Sequence, residues 1–181
     1  LRTLVERLFP RRLAQLVEER LSRQDVLVFG YDREAPWLSD PEIAGIALDE
    51  EAFRRRLSVF RDCRYLLLGG SDADWLAPLG RMDVVADLVR VAREEGFVPL
   101  LLCHYATLVV PQAEAAGLEV EGYAVPLNRA WSWFDRDECV EMVKGLDKPV
   151  IAFMPLAGGS LGRDVSGALD WLYSEVGVES I

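Results

Sequence analysis

The chain has 181 residues, of which 51% are hydrophobic, and its 30 acidic and 20 basic side chains give a formal net charge of −10. Such a surface repels phosphate backbones and anionic lipid headgroups, which argues against nucleic acids and membrane surfaces as partners. No apolar run approaches the roughly 20 residues that a membrane-spanning helix needs, so the sequence predicts a globular chain with one sizeable core.

The first part of the chain predicts a helix, a buried strand, a long loop and a second helix. Residues 3–22 carry apolar side chains at three- and four-residue spacing, which indicates a helix kinked at Pro10. Residues 25–31 (DVLVFGY) form a short apolar run typical of a strand buried on both faces. Two prolines and a glycine in residues 32–48 indicate a loop. Residues 49–62 begin with acidic side chains, as an amphipathic helix does.

The next unit repeats this order. Residues 64–69 (RYLLLG) predict a second buried strand, and residues 70–80 (GSDADWLAPLG) have the composition of a second long loop. Residues 82–95 predict a helix, because Gly96 then stands where a helix C-terminal cap is expected. Residues 97–104 (FVPLLLCH) predict the third strand.

The second half of the chain continues the alternation of helices and strands. It predicts, in order, a short helix, a strand, a helix, a strand, a helix and the start of a strand: residues 107–116, 120–127, 135–146, 150–154, 163–176 and 178–181. Apolar strands without polar alternation indicate burial on both faces, and hence a parallel sheet with helices packed against it.

Two architectures fit this alternation, a (β/α)8 TIM-type barrel and an open doubly wound sheet. The regular repeat, the long loops that follow strands, and the lack of a GxGxxG motif after the first strand favour the barrel. Because a barrel takes about 250 residues, we expect residues 1–181 to be a single domain and the C-terminal three quarters of a barrel, with about six strands. The unpaired strand edges of an incomplete barrel would favour self-association, so a homo-oligomer is a candidate state.

Polar side chains follow several predicted strands, and the carboxyl ends of parallel strands share one edge of a sheet. His104 ends the third strand and is the single histidine, so it is the candidate general acid or base. Asp32, Asp72 and Asp74 follow the first two strands and are the candidate catalytic carboxylates. Carboxylates and an imidazole could also hold a divalent metal, but their spacing matches no metal motif, so no metal ligands are predicted.

An anion site is also predicted at this edge. In residues 156–164 (LAGGSLGRD) a glycine turn leads into a helix, whose first N–H groups attract negative charge. A nearby arginine could add a charge-assisted hydrogen bond. The predicted substrate- and anion-binding residues are Asn128, Arg129, Gly158, Gly159, Ser160 and Arg163.

Residues 154–181 resemble the end of an aldo/keto reductase barrel. In that family a proline–leucine pair leads from a strand into a glycine turn that contacts the pyrophosphate of the cofactor. The residues that match this turn are Pro155, Leu156, Gly159 and Leu161. The family's catalytic tetrad of Asp, Tyr, Lys and His is not matched elsewhere in the chain. The resemblance implies an NADP-dependent oxidoreductase as an alternative function.

Three functions stay open from the sequence. The leading hypothesis is a barrel enzyme, of the lyase/isomerase or oxidoreductase type, acting by acid/base chemistry on a small anionic or carbonyl-containing metabolite. The NADP-dependent oxidoreductase is the second. The third is a non-catalytic binding or assembly module with the Trp-rich loops, which carry Trp37, Trp75, Trp131 and Trp133, as its contact surface. Cys63, Cys103 and Cys139 lack CxxC pairing and indicate a reducing compartment, which predicts a cytoplasmic protein.

Overall fold

The computed structural model describes residues 39–130 and 136–181. The α-helices in these residues are α1 (Asp40–Ala44), α2 (Glu50–Leu57), α3 (Ser71–Leu76), α4 (Met82–Glu94), α5 (Ala106–Ala115), α6 (Arg136–Lys144) and α7 (Val165–Asp170). The strands are β1 (Tyr65–Gly69), β2 (Val98–Leu102), β3 (Tyr123–Pro126) and β4 (Val150–Phe153). Short 3-10 helices follow α2 and β4 (Ser58–Phe60 and Ala157–Gly159), and α7 continues into a π-helix (Trp171–Val176).

The described strands form one parallel sheet in the order β1-β2-β3-β4. The register pairs Gly69 with Leu102, Leu102 with Ala124, and Ala124 with Ile151. Beyond β4, an isolated parallel bridge joins Ile151 to Ser180, in the segment where the sequence predicts a further strand. Consecutive strands are therefore neighbours, and their carboxyl ends lie side by side at one edge of the sheet.

The sheet is open, so the prediction of an incomplete TIM-type barrel is wrong. Among the described residues the outer edge of β1 has no strand partner, and the outer edge of β4 has only the single bridge. The alternative, an open doubly wound sheet, fits the architecture better. A repeat of strand and helix occurs in both architectures, and only the pairing between distant strands distinguishes them.

Most predicted elements in the described part of the chain are confirmed within a few residues. Helices α2, α4, α5 and α6 and all four strands lie in segments predicted to be helices and strands. Two predicted loops contain helices, because α1 lies within residues 32–48 and α3 within residues 70–80. The helix predicted for residues 3–22 and the strand predicted for residues 25–31 lie outside the described residues.

One face of the sheet forms the hydrophobic core with the helices. Its buried strand side chains include Leu66, Leu68, Leu101, Val125 and Ala152. They pack with the apolar stripe of α4, where residues such as Val85 and Val91 are buried, as the amphipathic pattern of that helix predicts. On the opposite face of β1, Tyr65 and Leu67 are 57% and 51% exposed.

The cysteines are unpaired, with Cys63 exposed and Cys103 and Cys139 buried. Burial, with a smaller contribution from Glu138, raises the pKa of the Cys139 thiol to about 11. This thiol therefore stays protonated at neutral pH and packs as a small apolar side chain. Among the described residues, no helix combines the length and the apolar character that crossing a membrane requires.

Candidate acid–base site

The turn from β1 into α3 places an aspartate beside the end of β2. Gly70 has a left-handed φ of 59°, which lets the helix begin directly after the strand. The N–H of Gly70 donates to the carbonyl of Leu102 (2.7 Å), and the N–H of Asp74 donates to the carbonyl of Gly70 (3.1 Å). Gly69 permits the close packing, because a Cβ at that position would lie 2.8 Å from the Cβ of Ala73.

Asp74 is a buried carboxylate that accepts three hydrogen bonds. It is 4% exposed. Its Oδ1 accepts from the backbone N–H groups of His104 (2.8 Å) and Tyr105 (3.0 Å), and its Oδ2 lies 2.7 Å from Nδ1 of His104. A buried charge persists only where hydrogen bonds or an opposite charge compensate for lost hydration. These bonds provide that compensation and fix the carboxylate against the imidazole.

The imidazole of His104 is held by this carboxylate and remains accessible. Because an ionised carboxylate only accepts hydrogen bonds, the 2.7 Å contact assigns the ring proton to Nδ1 and makes Nε2 the basic nitrogen. The side chain is 34% exposed, so small molecules can reach the ring from solvent. The ring also meets Phe153 edge to face, with 5.6 Å between centroids and 87° between planes.

Two ionisable neighbours of Asp74 stay neutral. Burial and the Asp74 carboxylate raise the pKa of Tyr105. Burial, Asp74 and Cys139 raise the pKa of Cys103 well above its usual value. Both groups therefore keep their protons at neutral pH, and the imidazole is the remaining neighbour of Asp74 with the chemistry of a general acid or base.

The Asp74–His104 pair has the form of an acid–base dyad. A carboxylate on one ring nitrogen fixes the tautomer and stabilises the imidazolium that forms when the other nitrogen takes up a proton. The structure thus brings together His104 and one of its three predicted partners. Asp72 is exposed in the first turn of α3, and Asp32 lies outside the described residues.

A metal centre is not found in the described part of the chain. No group of three or more His, Cys, Asp or Glu side chains within residues 39–130 and 136–181 is placed to hold a metal ion. The three hydrogen bonds that fix the Asp74 carboxylate come from N–H groups of residues 104 and 105.

The predicted anion-binding residues after β3 already have acidic or backbone partners. Arg129 forms an ion pair with Asp164, whose Oδ1 accepts from the N–H of Gly167 (3.1 Å) at the start of α7. The guanidinium and this N–H lower the pKa of Asp164. Asn128 is buried, and its Oδ1 accepts from the N–H of Ala130 (3.1 Å). An external anion would compete with the carboxylate of Asp164 for the guanidinium of Arg129.

The glycine turn after β4 has the conformation that its composition predicts. Gly158 and Gly159 both have left-handed φ values, of 64° and 96°, and both are exposed. The hydroxyl of Ser160 donates to the carbonyl of Ala157 (2.7 Å), and Arg163 is exposed. No described contact joins this turn to His104, and anion binding at the turn stays a prediction.

A surface depression of about 160 Å³ lies at the other end of the sheet, before β1 and β2 begin. Its lining residues are Arg54, Leu57, Ser58, Arg61, Cys63, Glu95, Gly96 and Phe97. Arg54 and Glu95 form an ion pair in this lining (2.6 Å). None of the predicted site residues belongs to this depression. The candidate site is therefore assigned to His104 from its contact with a buried carboxylate, not from the shape of the surface.

Sequence reasoning missed Phe153, which contacts the imidazole from β4. An aromatic residue inside an apolar strand is typical of a core position, and it gave no functional signal. Comparison of the chain with known protein families, with curated proteins and with solved structures finds no significant match. The resemblance to aldo/keto reductases therefore stays a prediction, and function has to be inferred from the geometry of the site.

Proposed function

We propose that this chain performs acid–base chemistry on a small molecule, with His104 as the proton-transferring group and Asp74 as the residue that positions it. The observation that supports the proposal is the 2.7 Å contact between a buried carboxylate and Nδ1 of a partly exposed imidazole. The pair lies where β2 ends, and parallel α/β folds bind their ligands at the carboxyl ends of the strands. The position of the pair at the strand ends and the chemistry of its two side chains therefore both support the proposal.

In the proposed reaction, Nε2 of His104 removes a proton from the substrate. The bond from substrate to hydrogen breaks, a bond from Nε2 to hydrogen forms, and the electron pair stays on the substrate. A carbonyl beside the reacting atom can take up that negative charge, so carbonyl-containing metabolites suit the site. The Asp74 carboxylate stabilises the imidazolium until the proton returns. A positioned acid–base group contributes roughly 10²–10⁴-fold in rate.

The test is solvent proton exchange, which detects proton removal whatever the final product is. The chain is incubated in D2O with a panel of 2-keto acids, hydroxyketones and aldehydes, and loss of each C–H signal is followed by ¹H NMR. We expect one or more panel members to exchange, and His104→Gln to slow that exchange about a hundredfold. Asp147→Asn is the matched control, because Asp147 is an exposed carboxylate that precedes β4 at the opposite end of the sheet.

Because His104 is the single histidine, its ring signals report binding without overlap. A panel member that enters the site should shift them, whereas Asp147→Asn should change neither the shifts nor the exchange rates. Equal exchange by the wild-type chain and by a folded His104→Gln variant would refute the proposal. A panel that neither exchanges nor shifts the ring signals would also contradict it, and would favour a non-catalytic module.

A further inference from the structure

We propose that Phe153 is a positioning residue for His104. The inference rests on the acid–base role proposed above and adds a second contact on which that role depends. Phe153 is the last residue of β4, and it meets the imidazole across the end of the intervening strand β3. The centroid distance of 5.6 Å and the interplanar angle of 87° match the edge-to-face arrangement that aromatic rings prefer.

The hydrogen bond to Asp74 by itself leaves part of the imidazole's motion unrestrained. That bond directs Nδ1, but a hydrogen bond tolerates a spread of angles, so a ring that is 34% exposed can still rock through small changes of χ1 and χ2. Proton transfer requires Nε2 to be held in one direction relative to the substrate. A second contact on the ring restricts this rocking, and Phe153 supplies one on the apolar side.

Two backbone features fix the position of Phe153, its pairing with β3 and the conformation of the residue that follows it. Its register partner is Pro126, and its carbonyl accepts the N–H of Leu127 (3.1 Å). The next residue, Met154, has a left-handed φ of 58°, which a non-glycine residue adopts only where the surrounding structure imposes it. The strand therefore ends in a defined direction, and the backbone fixes the point from which the Phe153 side chain reaches the imidazole.

The test compares variants of the full chain by ¹⁵N–¹H spectra of the histidine ring. Phe153→Leu keeps an apolar side chain and removes the aromatic ring, whereas Ile151→Val changes a partly buried residue of the same strand and serves as the matched control. We expect the wild-type chain to show one tautomer, with a narrow Nδ1–H signal. In Phe153→Leu that signal should broaden, and proton exchange of a responsive substrate should slow about three- to tenfold with KM unchanged.

Phe153→Tyr, which retains the ring, should restore both the narrow signal and the rate, and Ile151→Val should alter neither. A Phe153→Leu variant that folds and keeps the wild-type ring spectrum would overturn the inference. The outcome is separable from that of the proposed function. If His104→Gln loses exchange and Phe153→Leu does not, only the positioning role fails, whereas unchanged exchange in His104→Gln refutes the acid–base role itself.

Discussion

Each end of the sheet has a carboxylate in contact with an aromatic side chain. The ring is the buried member of the pair at one end, and the carboxylate is the buried member at the other. At the amino end, Tyr123 is fully buried and its hydroxyl donates to Glu114, which is exposed. Glu114 also accepts from the ammonium group of Lys148 (2.6 Å). At the carboxyl end the carboxylate of Asp74 is buried and the ring of His104 is accessible.

The choice of the buried partner decides what each pair can do. At the amino end, Lys148 and Tyr123 lower the pKa of Glu114, while burial and Glu114 raise the pKa of Tyr123. Each group therefore keeps one protonation state near neutral pH, and the cluster contributes to packing. At the carboxyl end the group that solvent can reach is an imidazole, a side chain that can act as an acid or a base. Similar contacts thus suit packing at one end and the proposed proton transfer at the other.

Replacing the carboxylate at each end should separate the packing role from the proposed proton transfer. The largest effect is expected on the rate of proton exchange. In Asp74→Asn the amide oxygen can still accept the two backbone N–H groups, but its NH2 then faces Nδ1 and favours the wrong tautomer. We expect proton exchange to fall about a hundredfold or more. Glu114→Gln should leave the rate unchanged. The exchange assay and the ring tautomer measured by NMR test both expectations, and equal losses in the two variants would contradict the comparison.

Glycines at the two ends should respond differently to an added methyl group. Gly69 and Gly96 have nearly the same left-handed φ, 88° and 90°, so alanine at either position loses about 1–2 kcal/mol of backbone energy. At Gly69 the new Cβ would also lie 2.9 Å from the carbonyl oxygen of Leu102, whereas at Gly96 it would meet open space.

We therefore expect Gly69→Ala to lower the free energy of unfolding by about 1–3 kcal/mol more than Gly96→Ala, because overpacking forces the neighbours to move. Urea titrations measure the difference. Gly69→Ala should also displace α3, and with it Asp74, so that proton exchange slows in the folded variant. Equal destabilisation by the two substitutions would show that the turn into α3 accommodates the added Cβ at position 69 without a cost in stability.

The helices and strands were predictable because the patterns that indicate them involve residues close in sequence. The barrel prediction failed because closure of a sheet depends on residues far apart in sequence. The apolar patterns of residues 64–69 and 82–95 indicate a strand and a helix from neighbouring residues alone. Whether the outer edge of β1 meets another strand depends on residues far away in sequence. Residues 70–80 misled for a related reason. Their Gly, Ser, Asp and Pro content is typical of a loop, yet tertiary contacts at Gly70 support the short helix α3.

The strand-end rule predicted that His104 and an aspartate would be neighbours, but it could not choose the aspartate. In a loop, Asp72 and Asp74 would be equivalent candidates. In the helix that actually forms, residues two apart point to different sides, so one carboxylate is buried against β2 and the other is exposed. Phe153 was beyond prediction, because its contact depends on the register across three strands.

The smallest expected effect is a pH dependence of stability at the amino end. Because Lys148 and Tyr123 hold the pKa of Glu114 below its ordinary value of 4.5, the unfolded chain binds this proton more readily than the folded chain does. The stabilisation is fully present above the unfolded pKa, and it is lost as the pH falls through the folded pKa. Since Glu114 is largely exposed and screened by solvent, we expect less than about 1 kcal/mol.

Urea unfolding at pH 7 and pH 3 measures this effect against Glu114→Gln, which cannot titrate at position 114. The wild-type chain should lose slightly more stability over this interval than the variant, because only its side chain gives up the contacts with Lys148 and Tyr123 on protonation. A matched Glu119→Gln variant changes an exposed carboxylate near the same end of the sheet and should behave as the wild type does. An identical loss in wild type and Glu114→Gln would show that ionisation of Glu114 adds no stability at the amino end of the sheet.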